Sequence, residues 1–245
     1  SLGNSAIYDA TNISAKKRVA FLKYIAKIPC KKVCIIIYST YEDCIKNNSN
    51  RERKVPDYVI ENMMKSWNTP YYGEGWDDIK IKYIFKFNPE QYAWINYFPF
   101  THMDFDQENS NHRLTLGKHC MEARIYICKN IDKKSANYKI LTIASMYHDC
   151  GKPFCKSFYN TKRELTEQAH YYQHENVGAY MMLEGLRMYN MSKLERLQIS
   201  VLINYHMRPY FAWDSKKAYS RDLQILGQEM IDNVKLIHDA DLSAH

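Results

Sequence analysis

Tyr147-His148-Asp149-Cys150-Gly151-Lys152-Pro153 closes an apolar run, Ile140 to Tyr147, with an adjacent histidine and aspartate and then, after one cysteine, Gly-Lys. An imidazole nitrogen and a carboxylate oxygen side by side at the end of such a run can share one divalent cation. A mixed nitrogen and oxygen set suits Mn, Fe, Co, Ni or Mg better than a thiolate-selected zinc. Gly151 allows a sharp turn without a Cβ penalty. Such a turn would bring the Lys152 ammonium back over the cation as a point charge for a phosphate oxygen. The stretch therefore points to hydrolysis of phosphate esters.

A cation that activates water needs further ligands from other helices, and the chain offers them on apolar helical backgrounds. His119 lies in Leu114-Thr115-Leu116-Gly117-Lys118-His119-Cys120-Met121-Glu122-Ala123. His170 and His174 are four residues apart, the spacing of one helical face. Ile199, Leu202, Ile203 and His206 follow the i, i+3, i+4, i+7 spacing of a buried stripe that Pro209 ends. Asp241 closes a long helical pattern at a core-facing position. A single histidine on an apolar stripe is more often a hydrogen-bonded core residue than a ligand. Candidates at five places, in the order H, HD, H, H, D, are harder to read that way.

On these residues the chain resembles the HD-domain metal-dependent phosphohydrolase superfamily, whose H, HD, D pattern is matched by His119, His148, Asp149 and Asp241. The resemblance spans roughly residues 111–245 and implies an all-α helical bundle holding one or two divalent metal ions between helices. His174 and His206 match positions that hold a second metal. His170 competes for the first of these, but the His-Glu-x-x-Gly-Ala context favours His174 and leaves His170 an outer or solvated role. His102, His112 and His238 are expected to be structural or surface residues, and Asp239 is the weaker alternative to Asp241.

The front of the chain carries a second resemblance. Ser5 to Asn12 reads as a buried strand ending in Asp-Ala-Thr-Asn. A helix with Lys16, Lys17 and Arg18 follows, then the strand Val33 to Tyr38. After Arg51-Glu52-Arg53-Lys54-Val55-Pro56 comes a helix with an apolar edge at Val55, Val59, Met63 and Trp67. Glu74-Gly75-Trp76-Asp77 comes next. This order is similar to the latter half of a P-loop kinase of the phage polynucleotide-kinase type. The chain departs from that family in having no G-x-x-x-x-G-K-[ST], so it lacks the backbone cradle and the lysine that hold nucleotide phosphates. No kinase activity is expected from it. A fragment of a kinase and HD fusion and a degenerate scaffold supporting the HD part fit the sequence equally.

The resulting expectation is an α+β, multidomain chain. A partial α/β unit occupies 1–85, an aromatic-rich connector 86–110 and the HD bundle 111–245. The connector, with Phe87, Tyr92, Trp94, Tyr97, Phe98, Phe100 and Phe105, is too apolar for a free linker and is expected to pack the units together; base stacking is the alternative. Seven cysteines without a C-x-x-C pair argue for reduced thiols. No apolar run approaches the ~20 residues that span a bilayer, and no signal-peptide pattern is visible, so a cytoplasmic location is expected. Of the net charge of +7, residues 1–85 contribute most, with 14 basic against 9 acidic. Arg51 and Arg53 there, and Arg208 after His206, are candidate substrate-binding groups. The loop 207–220 would choose the substrate if it overhangs the metals.

Both resemblances together imply end healing of nucleic acid. The expected substrate is a 2′,3′-cyclic, 2′- or 3′-phosphate on an RNA or nucleotide end, with Lys152 neutralising the phosphoryl oxygens. A nucleotidase acting on free nucleotides would instead hydrolyse those and leave oligonucleotide ends intact. A non-catalytic nucleotide-binding module would keep the fold without metal or turnover.

Overall fold

The computed structural model describes residues 4–84, 98 and 100–244. Its front part runs α1 (Ala15–Tyr24), β1 (Val33–Tyr38), α2 (Tyr41–Ser49), α3 (Asp57–Lys65) and β2 (Asp78–Tyr83). Ser14 and Thr40 cap α1 and α2 by accepting the backbone N–H groups of Lys17 and Asp43, which satisfies donors that a helix start leaves unpaired. β1 and β2 pair in parallel, from Val33 opposite Asp78 to Tyr38 opposite Tyr83.

The remainder is largely helical. It comprises α4 (Leu116–Asn130), α5 (Tyr138–Tyr147), the single turn α6 (Lys152–Cys155), β3 (Ser157–Tyr159) and β4 (Leu165–His170), then α7 (His174–Gly185), α8 (Lys193–Tyr205), α9 (Arg208–Phe211), α10 (Lys216–Leu226) and α11 (Gln228–Ser243). β3 and β4 form an antiparallel hairpin. A capping box joins Ser192 and Glu195 at the start of α8. α5 packs on α4, α8 and α11, while α7 lies along α8 and receives α3 on another side. Among the described residues the protein is thus α-rich with two small sheets.

Leu116, Ile127, Leu141, Tyr147, Met182, Leu183, Leu197 and Ile199 are among the largest fully buried side chains. Each such burial contributes about 1.5–3 kcal/mol. Ile36, Tyr38, Trp67 and Ile79 from the front belong to the same apolar cluster, so one core runs through both parts. Polar contacts cross there as well: Thr69 N donates to Asn204 Oδ1 at 3.1 Å and Tyr180 OH to Ser39 O. Glu74 is held by Arg18 through two bonds of 2.8 and 2.6 Å and by Trp76 Nε1 at 2.9 Å. Both charges are buried and paired on both carboxylate oxygens, the condition under which burial is tolerated.

Two local expectations are corrected. Residues 5–12 form no strand, and Ile7 is 95% exposed. A strand needs a ladder partner, and β1, the nearest element of that kind, pairs among the described residues with β2 alone. Tyr8 stacks on Phe21 of α1 instead. In α3 the buried positions are Ile60 and Met64, with Val59 half-buried and Met63 exposed. A strict spacing of four advances about 40° too far per turn on a helix of 3.6 residues, and Val55 and Trp67 lie beyond the helix ends.

Of the connector, Phe87, Tyr92, Trp94 and Tyr97 lie outside the described residues. Phe98 is buried and stacks on Tyr147, centroids 5.5 Å apart, immediately before the His-Asp pair. All seven cysteines are free thiols. Among the described residues no helix is long and apolar enough to cross a membrane.

Candidate metal centre

Six side chains converge from five places in the chain. His119 comes from the first turns of α4, His148 and Asp149 from the turn that ends α5, His174 from the first residue of α7, His206 from the C-cap of α8 and Asp241 from the last turn of α11. All six are buried. They form two groups that could each hold a metal ion, His119, His148, Asp149 and Asp241 in one, and Asp149, His174 and His206 in the other. Asp149 divides its carboxylate between them. Its Oδ2 lies 3.2 Å from His119 Nε2 and 3.4 Å from His148 Nε2. Its Oδ1 lies 2.9 Å from His174 Nε2 and 3.6 Å from His206 Nε2. Asp241 Oδ1 completes the first group at 2.9 Å from His119 Nε2 and 3.5 Å from His148 Nε2.

Three observations fit this donor set to divalent cations. Ligand bonds of about 2.1 Å place neighbouring donors about 3.0 Å apart in an octahedron and about 3.4 Å apart in a tetrahedron, and the first group spans 2.9–3.5 Å. The histidine tautomers are also set. Nδ1 faces a backbone carbonyl in every case: Ala244 for His119, Ser145 for His148, Tyr171 for His174 and Ile203 for His206, at 2.7–3.2 Å. A carbonyl only accepts, so Nδ1 carries a proton and Nε2 is the nitrogen left to face an ion, the arrangement of a metal-bound imidazole. The Nε2 atoms then face one another at 3.1 Å (His119 and His148) and 3.2 Å (His174 and His206). Two lone pairs at that distance would repel, so a positive charge, either a proton or an ion, belongs between them.

The electrostatics point the same way. Burial opposes charge on His148, yet the Asp149 and Asp241 carboxylates overcome it and push its pKa up to about 10. Burial likewise opposes charge on Asp149, but the His148 and Lys152 cations and the imidazole hydrogen bonds hold its carboxyl well below the usual range. Asp241 is lowered in the same way, against its burial, by bonds from His119 and His148. His206 goes the other direction, lowered by burial, which keeps it a neutral donor. The first group is thus a place where positive charge is favoured before any ion is considered.

Gly151 serves this turn for a reason other than the one its sequence suggests. Its φ of −81° and ψ of −12° are ordinary right-handed values, so no special backbone freedom is used. A Cβ there would instead stand 2.1 Å from His174 O and 2.7 Å from Gly178 N. The turn after His148-Asp149 presses directly on the start of α7, and that contact brings His174 to Asp149. Gly151→Ala is expected to cost about 1–3 kcal/mol or more of stability and to lower metal occupancy at the Asp149, His174 and His206 group. Thermal melting with elemental analysis checks this; wild-type values for both would show the contact to be slack.

The neighbouring histidines sort in part as the sequence suggests. His170 ends β4 and His174 begins α7, with Gln173 in a left-handed conformation (φ 66°) between them. They share no helix, and His170 bonds Thr166 and stacks on Tyr172. Asp239 is exposed whereas Asp241 is buried. His102 packs between Phe98 and Phe105. His112 and His238, expected to be structural or surface residues, both adjoin the centre. His112 Nε2 is 3.2 Å from Lys152 Nζ, and His238 meets Tyr210 edge to face at 4.2 Å.

Lys152 is 3% exposed. Its Nζ lies 2.7 Å from Asp149 Oδ2 and donates to Gln107 Oε1 at 2.7 Å. Gln107 is itself fixed by donating to Leu114 O. Tyr210 donates to the second oxygen of Asp241 at 3.1 Å. Sequence reasoning missed Gln107 and gave Tyr210 no role at the ligands. Neither lies in a motif, and each reaches the site only through tertiary folding. Arg208 is engaged elsewhere, bonded to the buried Asp222 at 2.7–2.8 Å together with Trp213 Nε1. Arg51 and Arg53 are exposed in the turn between α2 and α3, and no described contact joins them to the ligands. The chain matches no protein-family model, no curated protein and no solved structure.

Proposed function

We propose that this protein is a metal-dependent phosphohydrolase of the HD type acting on phosphate esters of nucleotides or nucleic-acid ends. The favoured substrates are 2′,3′-cyclic, 2′- and 3′-phosphates. The observation that carries the reading is the single carboxylate of Asp149, with one oxygen in each of two histidine-rich groups and a buried lysine 2.7 Å away. His119, His148, Asp149 and Asp241 would hold one divalent ion, and Asp149, His174 and His206 a second. Bound there, such ions supply Lewis-acid polarisation of a phosphoryl oxygen and lower the pKa of water.

The chain's own residues provide the rest. Burial of all six ligands and of Lys152 removes bulk water and raises the worth of every charge. An ammonium has three N–H donors, and Lys152 has three neighbours: Asp149, Gln107 and His112. His112 is the most distant and is only half-buried, so a phosphoryl oxygen displaces it most readily. Charge developing on that oxygen is then met by a donor already aimed. Tyr210 holds the outer oxygen of Asp241, leaving Oδ1 to face the histidines.

The test begins with the purified chain stripped by a chelator and refilled with Mn, Fe, Co, Ni or Mg. Refilling is expected to raise the melting temperature, since an ion at 100 times its Kd adds about 2.7 kcal/mol, and to switch on hydrolysis in a panel of phosphate esters. Turnover of free nucleotides without turnover of oligonucleotide ends would move the substrate to free nucleotides. A chain that binds metal yet hydrolyses nothing in the panel would overturn the proposal.

A further inference from the structure

Phe211 is 79% exposed. It ends α9, the single turn that begins two residues after the ligand His206. Isolated exposed apolar side chains are ordinary, but this one stands on a braced support. Arg208, at the other end of α9, is tied to buried Asp222, which also receives Trp213 Nε1 at 3.0 Å. Tyr210, the residue before Phe211, donates to the ligand Asp241 and packs against His238. The Tyr210 and Phe211 rings are 5.9 Å apart and tilted by 36°, so Tyr210 leaves the Phe211 ring uncovered.

We infer that Phe211 is a stacking platform for an unpaired nucleobase borne by the phosphate ester at the metal centre. The inference rests on the phosphohydrolase reading and adds a specificity-determining residue to it. The Phe211 ring lies 5.9 Å from the Tyr210 ring, whose hydroxyl is 3.1 Å from the carboxylate of Asp241, so one tyrosine side chain spans from the platform to the centre. The chain that follows suits an anionic ligand that continues past the site, since Lys216 and Lys217 are exposed at the start of α10. Every base has a π face, so stacking of this kind selects for a base without selecting which one. The expected substrate class is therefore a nucleotide or a single-stranded end.

The test uses the full metal-loaded chain and two substrates, a nucleoside 2′,3′-cyclic or terminal phosphate and its counterpart lacking the base. Phe211→Ala is expected to raise KM for the nucleotide about 5- to 150-fold, the range for loss of one base–aromatic stack, acting on KM rather than kcat. The ratio of variant to wild type for the baseless ester should stay near one. Phe211→Trp should restore nucleotide affinity, which a merely structural role would not predict. Equal changes for both substrates, or none for either, would overturn the inference. Equilibrium binding of the same pair separates the two ideas. If the wild type hydrolyses no ester, the phosphohydrolase reading falls, and a preference for the base that Phe211→Ala abolishes would keep the stacking site. Absence of that preference would remove it.

Discussion

Asp149→Ala is expected to empty both metal groups at once and to abolish phosphoesterase activity. Asp149 is the one side chain present in both groups, so its loss takes a ligand from each, whereas His206→Ala removes a ligand from the second group alone. Losing the ions forfeits several kcal/mol of transition-state stabilisation, on the order of 10³ or more in rate. The same change strands Lys152, whose buried ammonium has Asp149 Oδ2 as its carboxylate partner. Removing one partner of a buried pair costs about 3–5 kcal/mol, so the metal-free variant should also melt lower than metal-free wild type. Elemental analysis beside melting curves decides the matter. Asp149→Ala holding as much metal as wild type would remove the shared carboxylate from the centre.

Lys152→Ala should separate the ions from the substrate. No ligand is removed, so bound metal is expected to stay near wild type. With the ammonium gone, kcat should fall by roughly 10²–10³, the usual loss for one preorganised charge-stabilising donor. Gln107 Oε1 would lose its donor in a buried setting, which adds about 1–3 kcal/mol of destabilisation. Circular dichroism and melting must therefore accompany the kinetics. Unchanged kcat with unchanged metal would exclude Lys152 from the reaction. Arg208 would be a poor successor, because its guanidinium is committed to Asp222.

The six side chains that converge were legible as candidates in the sequence because each is a rare donor on an apolar helical background, and because His148 and Asp149 are adjacent. Helical periodicity also placed His206 and Asp241 on buried faces. What escaped was whatever depends on partners distant in the chain. Gln107 lies 45 residues from Lys152 and Tyr210 lies 31 from Asp241, and no local pattern announces either contact. The misread segment 5–12 has strand-like composition but no ladder to join. At Gly151 the sequence suggests a backbone freedom that the turn does not use; the crowding at His174 comes from a helix 23 residues further on, invisible until the turn is packed against it.

The carbonyls that hold the four imidazoles carry a consequence for how this centre can vary. Three of the rings, His148, His174 and His206, are each pinned to the main-chain oxygen of the residue three places before, and His119 to that of Ala244. Main-chain oxygens survive every substitution. Ser145, Tyr171, Ile203 and Ala244 can therefore be exchanged for other residues that preserve the local helix or turn, and the aim of the ligands will not be lost. Centres that orient their histidines with side-chain carboxylates must keep those carboxylates too. Here the layer that orients the four imidazoles is main chain, and it leaves no side-chain signature of its own in the sequence.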